Sequence, residues 1–325
     1  MRVFITGATG FVGGAVASAL AQQGAEIHAL SRSTAGCSSL GSFAVKWHEG
    51  DITDPRNLNG ALAGSDYVVH AAGKLGQAGV QEEVYRRVHV DGTRNVMAAA
   101  LASPTRPLVV HVSSPGVLGP ISGDAATEDA PCRPSNSYER TKASAEQVVH
   151  EFASKGLRVV IARPEFIYGP GDRHVFKLFL AIRNRRFFYI DSGRHFCHPT
   201  FIEDAVRGVL LCLSRGREGE TYHLAGPRAV TFRELGATIA AAVGVSPPAL
   251  SLPYWLALSA AMGLERLSSL AGRTPPLSRT AVAFFSEDRR FSWTKAHNEL
   301  GYTPQYDLAA GVARSVDWYR QHGCL

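Results

Sequence analysis

Two side chains four residues apart set the first chemical expectation. In Tyr138-Glu139-Arg140-Thr141-Lys142 a phenol and an ammonium share one face if the segment is helical. A cation beside a phenol stabilises the phenolate and lowers its pKa from about 10. Such a phenol can exchange a proton with an alcohol or carbonyl oxygen, which is half of a carbonyl–alcohol interconversion. A Tyr-x-x-x-Lys pair is common by chance, so its weight comes from context. Upstream, Ser113-Ser114-Pro115-Gly116 ends an apolar run. There Ser114 is placed to hydrogen-bond the reacting oxygen, with Ser113 as the substitute if the register slips by one.

The hydride for such a reaction needs a carrier, and the N-terminus offers a place for one. Thr6-Gly7-Ala8-Thr9-Gly10-Phe11-Val12-Gly13 follows a strand-like run and opens a helical pattern. Glycines there allow a tight turn and let backbone N–H groups approach a pyrophosphate at the helix terminus. The spacing is Gly-x-x-Gly-x-x-Gly, so Gly7, Thr9, Gly10, Phe11, Val12 and Gly13 form the expected cradle of a dinucleotide. At the end of the second strand an acid would grip the 2′-hydroxyl of NAD. This chain has Ser31-Arg32-Ser33 instead, and Arg32 suits a 2′-phosphate, which favours NADP(H) over NAD(H). Asp51 and Ile52 are expected near the adenine, Ala71, Ala72 and Gly73 along the dinucleotide, and Pro164 near the nicotinamide, together with Tyr138 and Lys142.

These groups need a scaffold, and the apolar rhythm supplies one. Short apolar runs at 3–6, 26–31, 45–49, 67–71, 108–113 and 158–163 alternate with helical patterns at 13–23, 84–102 and 138–155. That alternation predicts an α/β fold, a Rossmann-like doubly wound parallel sheet. The expected organisation is a dinucleotide-binding domain over 1–165, with returns near 195–214, and a mainly substrate-binding region over 166–325.

Bulk properties narrow the class further. The 325 residues, 45% hydrophobic and 19% charged, suit a globular protein with a real core. Five scattered cysteines (37, 132, 197, 212 and 324) contain no Cys-x-x-Cys, so neither a zinc site nor a disulfide framework is expected. A cytoplasmic setting follows. The most apolar stretch, 252–264, is roughly 13 residues, short of the about 20 that cross a bilayer. The net charge of +6 comes without a nucleic-acid motif, and the cluster of Arg183, Arg185 and Arg186 with Arg173 and Lys177 reads as a solvated basic face.

Taken in order, four motifs resemble the extended short-chain dehydrogenase/reductase superfamily over nearly the full length. They are the glycine segment 6–13, Ser113-Ser114 running to Gly119, Tyr138-x-x-x-Lys142, and Arg163-Pro164-x-x-x-Tyr168-Gly169-Pro170-Gly171-Asp172. The resemblance implies a seven-stranded sheet and catalytic roles for Ser114, Tyr138 and Lys142. It also implies a homodimer. Two branches compete for the substrate. Nucleotide-sugar epimerases and dehydratases usually carry an arginine where His198 stands, and a diphosphate-binding arginine motif where Ser286-Glu287-Asp288-Arg289-Arg290 stands; Arg194 or Arg289 could substitute. The C-terminal third, with Leu252-Pro253-Tyr254-Trp255-Leu256-Ala257 and Pro276 to Val282, looks more like the 3β-hydroxysteroid and sterol-4α-carboxylate 3-dehydrogenase branch. An apolar lid over 255–270 fits a greasy substrate and a peripheral membrane contact through 252–270.

Two departures stand out. The family's asparagine in Asn-x-x-Gly-Thr is His89, and a carboxylate, Glu165, follows Pro164 directly. Glu165 and His198 are the candidate substrate contacts. The leading expectation is reversible oxidation of a secondary alcohol on a hydrophobic, sterol-like molecule. The alternatives are a nucleotide-sugar epimerase or dehydratase retaining NAD, and a non-catalytic dinucleotide-sensing module.

Overall fold

In the computed structural model, residues 1–33, 43–270 and 275–325 are described; Cys37 lies outside them. Seven parallel strands form the main sheet: β1 (Arg2–Thr6), β2 (Glu26–Ser31), β3 (Val45–Glu49), β4 (Tyr67–His70), β5 (Leu108–Val112), β6 (Val159–Pro164) and β7 (Thr221–Leu224). Their order is β7-β6-β5-β4-β1-β2-β3. Strands such as β1, where Val3, Phe4 and Ile5 are wholly buried, are apolar on both faces because helices cover both. On one side α1 (Phe11–Gln22) brings Val16 and Leu20 to the sheet. On the other, α3 (Gly92–Ala102) and α4 (Ser137–Ser154) bring Val96, Met97, Val149 and Phe152.

The strand order reverses between β1 and β4, where Thr6 lies opposite His70. The chains leave β1 and β4 in opposite lateral directions there, so a crevice opens at the carboxyl edge of the sheet. Gly7, Ala71, Ser113 and Glu165 each follow a strand end on that edge.

The helical pattern expected over 84–102 is interrupted. It divides into α2 (Glu82–Arg86), a π-helical turn over Arg87–Asp91, and α3. The wider turn accommodates an extra residue and changes the helix phase, and it contains His89, which is buried.

Beyond β6 the chain leaves the sheet and returns repeatedly. Helix α5 (Phe176–Arg183) precedes α6 (Ile202–Arg215), which packs under the sheet, and β7 then closes its edge with Leu224 beside Pro164. Helix α7 (Phe232–Val243) follows. A short parallel pair, Tyr189–Ile190 with Ser251–Leu252, anchors α8 (Tyr254–Leu270) and α9 (Arg279–Ser286) around Ile190, Ala257, Ala261 and Val282. Helices α10 (Thr294–Leu300) and α11 (Leu308–Gln321) come back to the main core. One apolar cluster runs from Val3 and Ile5 to Val316 and Tyr319. Residue 165 therefore marks the end of continuous sheet building, while the core itself continues across it.

Candidate active site

The glycine segment owes its composition to close contacts. Gly7 has φ 78°, and a Cβ there would lie 2.6 Å from the Ala72 nitrogen. A Cβ on Gly13 would lie 2.3 Å from the Gly7 carbonyl oxygen. Gly10 caps α1 without a side-chain bond, and the first turn carries no acid. The opening N–H groups of α1 therefore have no side-chain acceptor and a bare approach, which fits the pyrophosphate of a dinucleotide. Thr9 is exposed beside them, whereas the Phe11 and Val12 side chains pack inward, leaving their backbone to face the loop.

The other expected cofactor residues line the same edge. Arg32 is exposed just past β2 and forms no ion pair among the described residues. The Ser31 hydroxyl donates to the Ser33 carbonyl at 2.7 Å and folds the turn that presents it. Asp51 is half-buried and its Oδ1 accepts from the Thr53 N–H, while the Ile52 side chain packs into the core against Gly92. The Ala72 N–H donates to Thr6 Oγ1, which keeps residues 71–73 alongside Gly7.

Helix α4 begins at Asn136, whose side chain accepts from the Glu139 N–H at 3.0 Å. This cap fixes the first turn and with it Tyr138. The Tyr138 ring is half-buried, edge-on to His89 at 5.5 Å and to Tyr85 at 6.1 Å, with Gly76 against its face. One turn on, Lys142 is buried and donates from Nζ to the Val112 carbonyl at the end of β5, at 2.8 Å. Burial lowers the Lys142 pKa to about 8.

One electrostatic expectation is overturned. Lys142 was expected to lower the Tyr138 pKa, but burial raises it, and the charge of Glu165 raises it further. The phenolate loses more from desolvation than nearby cations return, and the cation that opposes the rise is Arg289. Without dinucleotide, Tyr138 is thus held as the phenol, a proton donor.

Ser114 Oγ accepts from the Gly116 N–H at 3.1 Å, so its own hydroxyl proton remains available to a substrate oxygen. Ser113 Oγ is buried without a partner among the described residues. Ser114 is the better placed of the pair because it is half-exposed and stands at the start of a 3-10 turn beside Arg289.

His89 connects the catalytic helix to the loop above it. The Thr141 hydroxyl donates to backbone carbonyls of its own helix, so it accepts from His89 Nδ1–H at 2.9 Å. In that tautomer His89 Nε2 accepts from the Lys74 N–H at 3.0 Å, with the Lys74 carbonyl oxygen equally close. Burial, with Lys142 adding to it, lowers the His89 pKa to about 3 and keeps this neutral form. The Tyr85 hydroxyl accepts from the Gln77 N–H at 2.7 Å and ties the same loop further on. Tyr85 had not been singled out; its i, i+4 spacing to His89 was the visible signal.

His198 turns both ring nitrogens to the backbone. It is buried, its Nδ1 accepts from the Phe291 N–H and its Nε2–H donates to the Gly226 carbonyl, so both nitrogens bind backbone. The two candidate clamp arginines differ. Arg289 is buried and ion-paired through Nη2 to Glu139 and Glu287, both at 2.8 Å, whereas Arg194 is exposed. Glu165, by contrast, is buried at the carboxyl edge, and desolvation raises its pKa to about 7.

Tyr138 opens onto a cavity of about 970 Å³ between the loop 76–81, the start of α4, and helices α8 and α9. Met262 and the ion pair of Arg279 with Glu265 form part of its far wall. A dinucleotide cradle, a serine, tyrosine and lysine on one sheet edge and an adjoining cavity define an oxidoreductase site of the short-chain dehydrogenase type. Residues 3–225 match the NAD dependent epimerase/dehydratase family, and the chain belongs to it, within the extended short-chain dehydrogenase/reductase superfamily. It is 32% identical to a 4-hydroxy-2-methyl-3-oxo-4-farnesyl-3,4-dihydroquinoline-1-oxide ketoreductase of Stigmatella aurantiaca, over 99% of this chain and 97% of that one. It is 30% identical to sterol demethylase protein B of Methylococcus capsulatus over the whole of both chains. A solved dTDP-glucose 4,6-dehydratase of Streptomyces venezuelae, with NAD bound, superposes with a TM-score of 0.79 at 26% identity, covering 99% of this chain and 97% of that one. The chain is a nicotinamide-dependent enzyme of this superfamily.

Proposed function

We propose that the enzyme interconverts a ketone and a secondary alcohol on a hydrophobic, sterol- or prenyl-like substrate, with NADP(H) as the preferred cofactor. The observation that carries the ketone–alcohol part of this reading is the opening of Tyr138 onto a cavity of about 970 Å³. The farnesylated substrate named for the Stigmatella aurantiaca relative and the sterol pathway name of the Methylococcus capsulatus relative support it. So does the pairing of Arg289 with two carboxylates, which engages that guanidinium within the protein.

A bound nicotinamide would supply or accept the hydride at the carbinol carbon. The residues that would hold the cofactor are the α1 terminus, Arg32 and the segment 71–73, with Lys142 toward the ribose. In the reducing direction Ser114 donates a hydrogen bond to the carbonyl oxygen, and Tyr138 passes its phenolic proton to that oxygen as it becomes the hydroxyl. In the oxidising direction the proton returns to Tyr138. Arg32, exposed and without an ion pair among the described residues, supports the preference for a 2′-phosphate.

The lipid-like substrate has a matching surface. Leu250, Trp255, Met262 and Leu267 are all more than half exposed. Tyr189 bonds Leu250 through its backbone and follows shortly after the exposed Arg183, Arg185 and Arg186. Apolar and aromatic side chains near cations that form no ion pair among the described residues suit an anionic lipid surface, against which α8 would lie.

The deciding experiment is nicotinamide absorbance with purified protein, each cofactor, and two substrate panels, 3β-hydroxysterols with prenylated ketones and nucleotide sugars. Turnover in the first panel supports the reading. Turnover confined to nucleotide sugars, with epimerised or dehydrated product, overturns it.

A further inference from the structure

Among the described residues, the Glu165 side chain finds no hydrogen-bond or ion-pair partner. It follows the last residue of β6, on the carboxyl edge that carries Ser114 and Gly7, and is only 5% exposed. Its backbone N–H bonds the Leu224 carbonyl. Its carboxyl makes no hydrogen bond and no ion pair among the described residues. Arg289, the cation whose field reaches it, is already engaged by Glu139 and Glu287. The groups facing it are Tyr138 and Glu139 from α4, Arg289 from the segment after α9, and Cys197. Three carboxylates thus surround one guanidinium, so Glu165 lacks a countercharge.

A buried carboxyl left without a partner is destabilising, and such groups persist where a ligand completes them. Val112 pairs with Ala162, so Ser113–Ser114 and Glu165 leave neighbouring strands on the same edge, and the Glu165 charge acts on Tyr138. We infer that Glu165 is a specificity-determining residue that hydrogen-bonds a second oxygen function of the substrate, a hydroxyl or carbonyl next to the carbon that is reduced or oxidised. The substrate class is then a hydrophobic acyloin, or the vicinal diol it forms on reduction, in preference to a simple ketone. The uncompensated carboxylates also disfavour an anionic group at this point. This inference rests on the ketone–alcohol reading above and deepens it.

The test compares a long-chain acyloin with the plain ketone of the same chain length, using NADPH and the wild type, Glu165→Gln and Glu165→Leu. The wild type is expected to favour the acyloin in kcat/KM by at least about tenfold, and Glu165→Leu to lose that advantage, mostly through KM. Glu165→Leu should also melt at a higher temperature than the wild type, since it removes an unpaired buried carboxyl. A residue with a merely structural role would give a lower melting temperature. Equal preference in wild type and Glu165→Leu overturns the inference. If the wild type reduces neither ketone, the proposed reaction fails on its own. The role of Glu165 is then decided by acyloin binding to the NADP⁺-loaded protein, read by tryptophan fluorescence. Binding weakened about tenfold in Glu165→Leu supports the role; equal binding, or none to the wild type, overturns it. Glu165→Gln keeps the shape and a hydrogen-bonding group and should retain part of the preference.

Discussion

Lys142 donates from Nζ to the Val112 carbonyl across 2.8 Å, which fastens the catalytic helix α4 to the end of β5, one residue before the serine pair. The two elements that carry Ser114 and Tyr138 are therefore held together by the third member of the site.

That link separates the roles of the two α4 residues. Tyr138→Phe should lower kcat by about a hundredfold or more, since general acid catalysis contributes that much, while dinucleotide affinity stays within about twofold. Lys142→Met should weaken both turnover and cofactor binding. Steady-state kinetics with fluorescence titration of NADPH measures both, and undiminished turnover in Tyr138→Phe would remove the mechanism.

Arg32 stands exposed past β2, with no carboxylate paired to it among the described residues. Arg32→Asp should reduce the NADPH over NADH preference in kcat/KM by about tenfold or more, through loss of a charge-assisted bond to phosphate and new repulsion. An unchanged ratio would show that another residue reads the 2′-position.

The buried pair of Arg163 with Glu146 joins β6 to α4 through bonds of 2.9 and 2.6 Å. Removing one partner leaves a buried charge alone, so Glu146→Leu should cost about 3–5 kcal/mol. The double variant Glu146→Leu with Arg163→Met should recover much of that loss. Chemical denaturation checks both, and equal stability of wild type and the single variant would contradict the pairing.

Burial raises the Glu165 pKa to about 7 from the ordinary value of 4.5, so the folded protein binds its proton more tightly than the unfolded chain. The resulting stability is present in full below about 4.5 and is lost as pH rises through about 7. Melting temperatures should therefore favour Glu165→Gln over the wild type more strongly at pH 8 than at pH 5. A difference between the two proteins that does not change with pH would show that Glu165 does not titrate in this range.

The local parts of the site were legible because they are encoded over short spans. The glycine segment, the Tyr138 and Lys142 spacing, the serine pair and six of the seven main strands each depend on a run of neighbouring residues. The misreadings were of environment. His198 was expected to face substrate from its place in a motif, yet its ring binds Gly226 and Phe291, which no local pattern brings near it. The effect of Lys142 on Tyr138 was expected from spacing, yet desolvation outweighs it. The break in the 84–102 helix escaped notice because a π turn preserves apolar content while changing its phase.

The sequence by itself determined the alternation of strands and helices, the glycine turn that opens α1 and the placing of Tyr138 and Lys142 on one helix, because period and turn chemistry are local properties of the chain. The tertiary structure alone decided which charges are matched. It closed Arg289 between Glu139 and Glu287, gave His89 to Lys74 and Thr141, and left Glu165 buried without a partner among the described residues. Pairing and desolvation depend on segments far apart in the chain meeting in a low-dielectric interior, and that is settled only when the chain has packed.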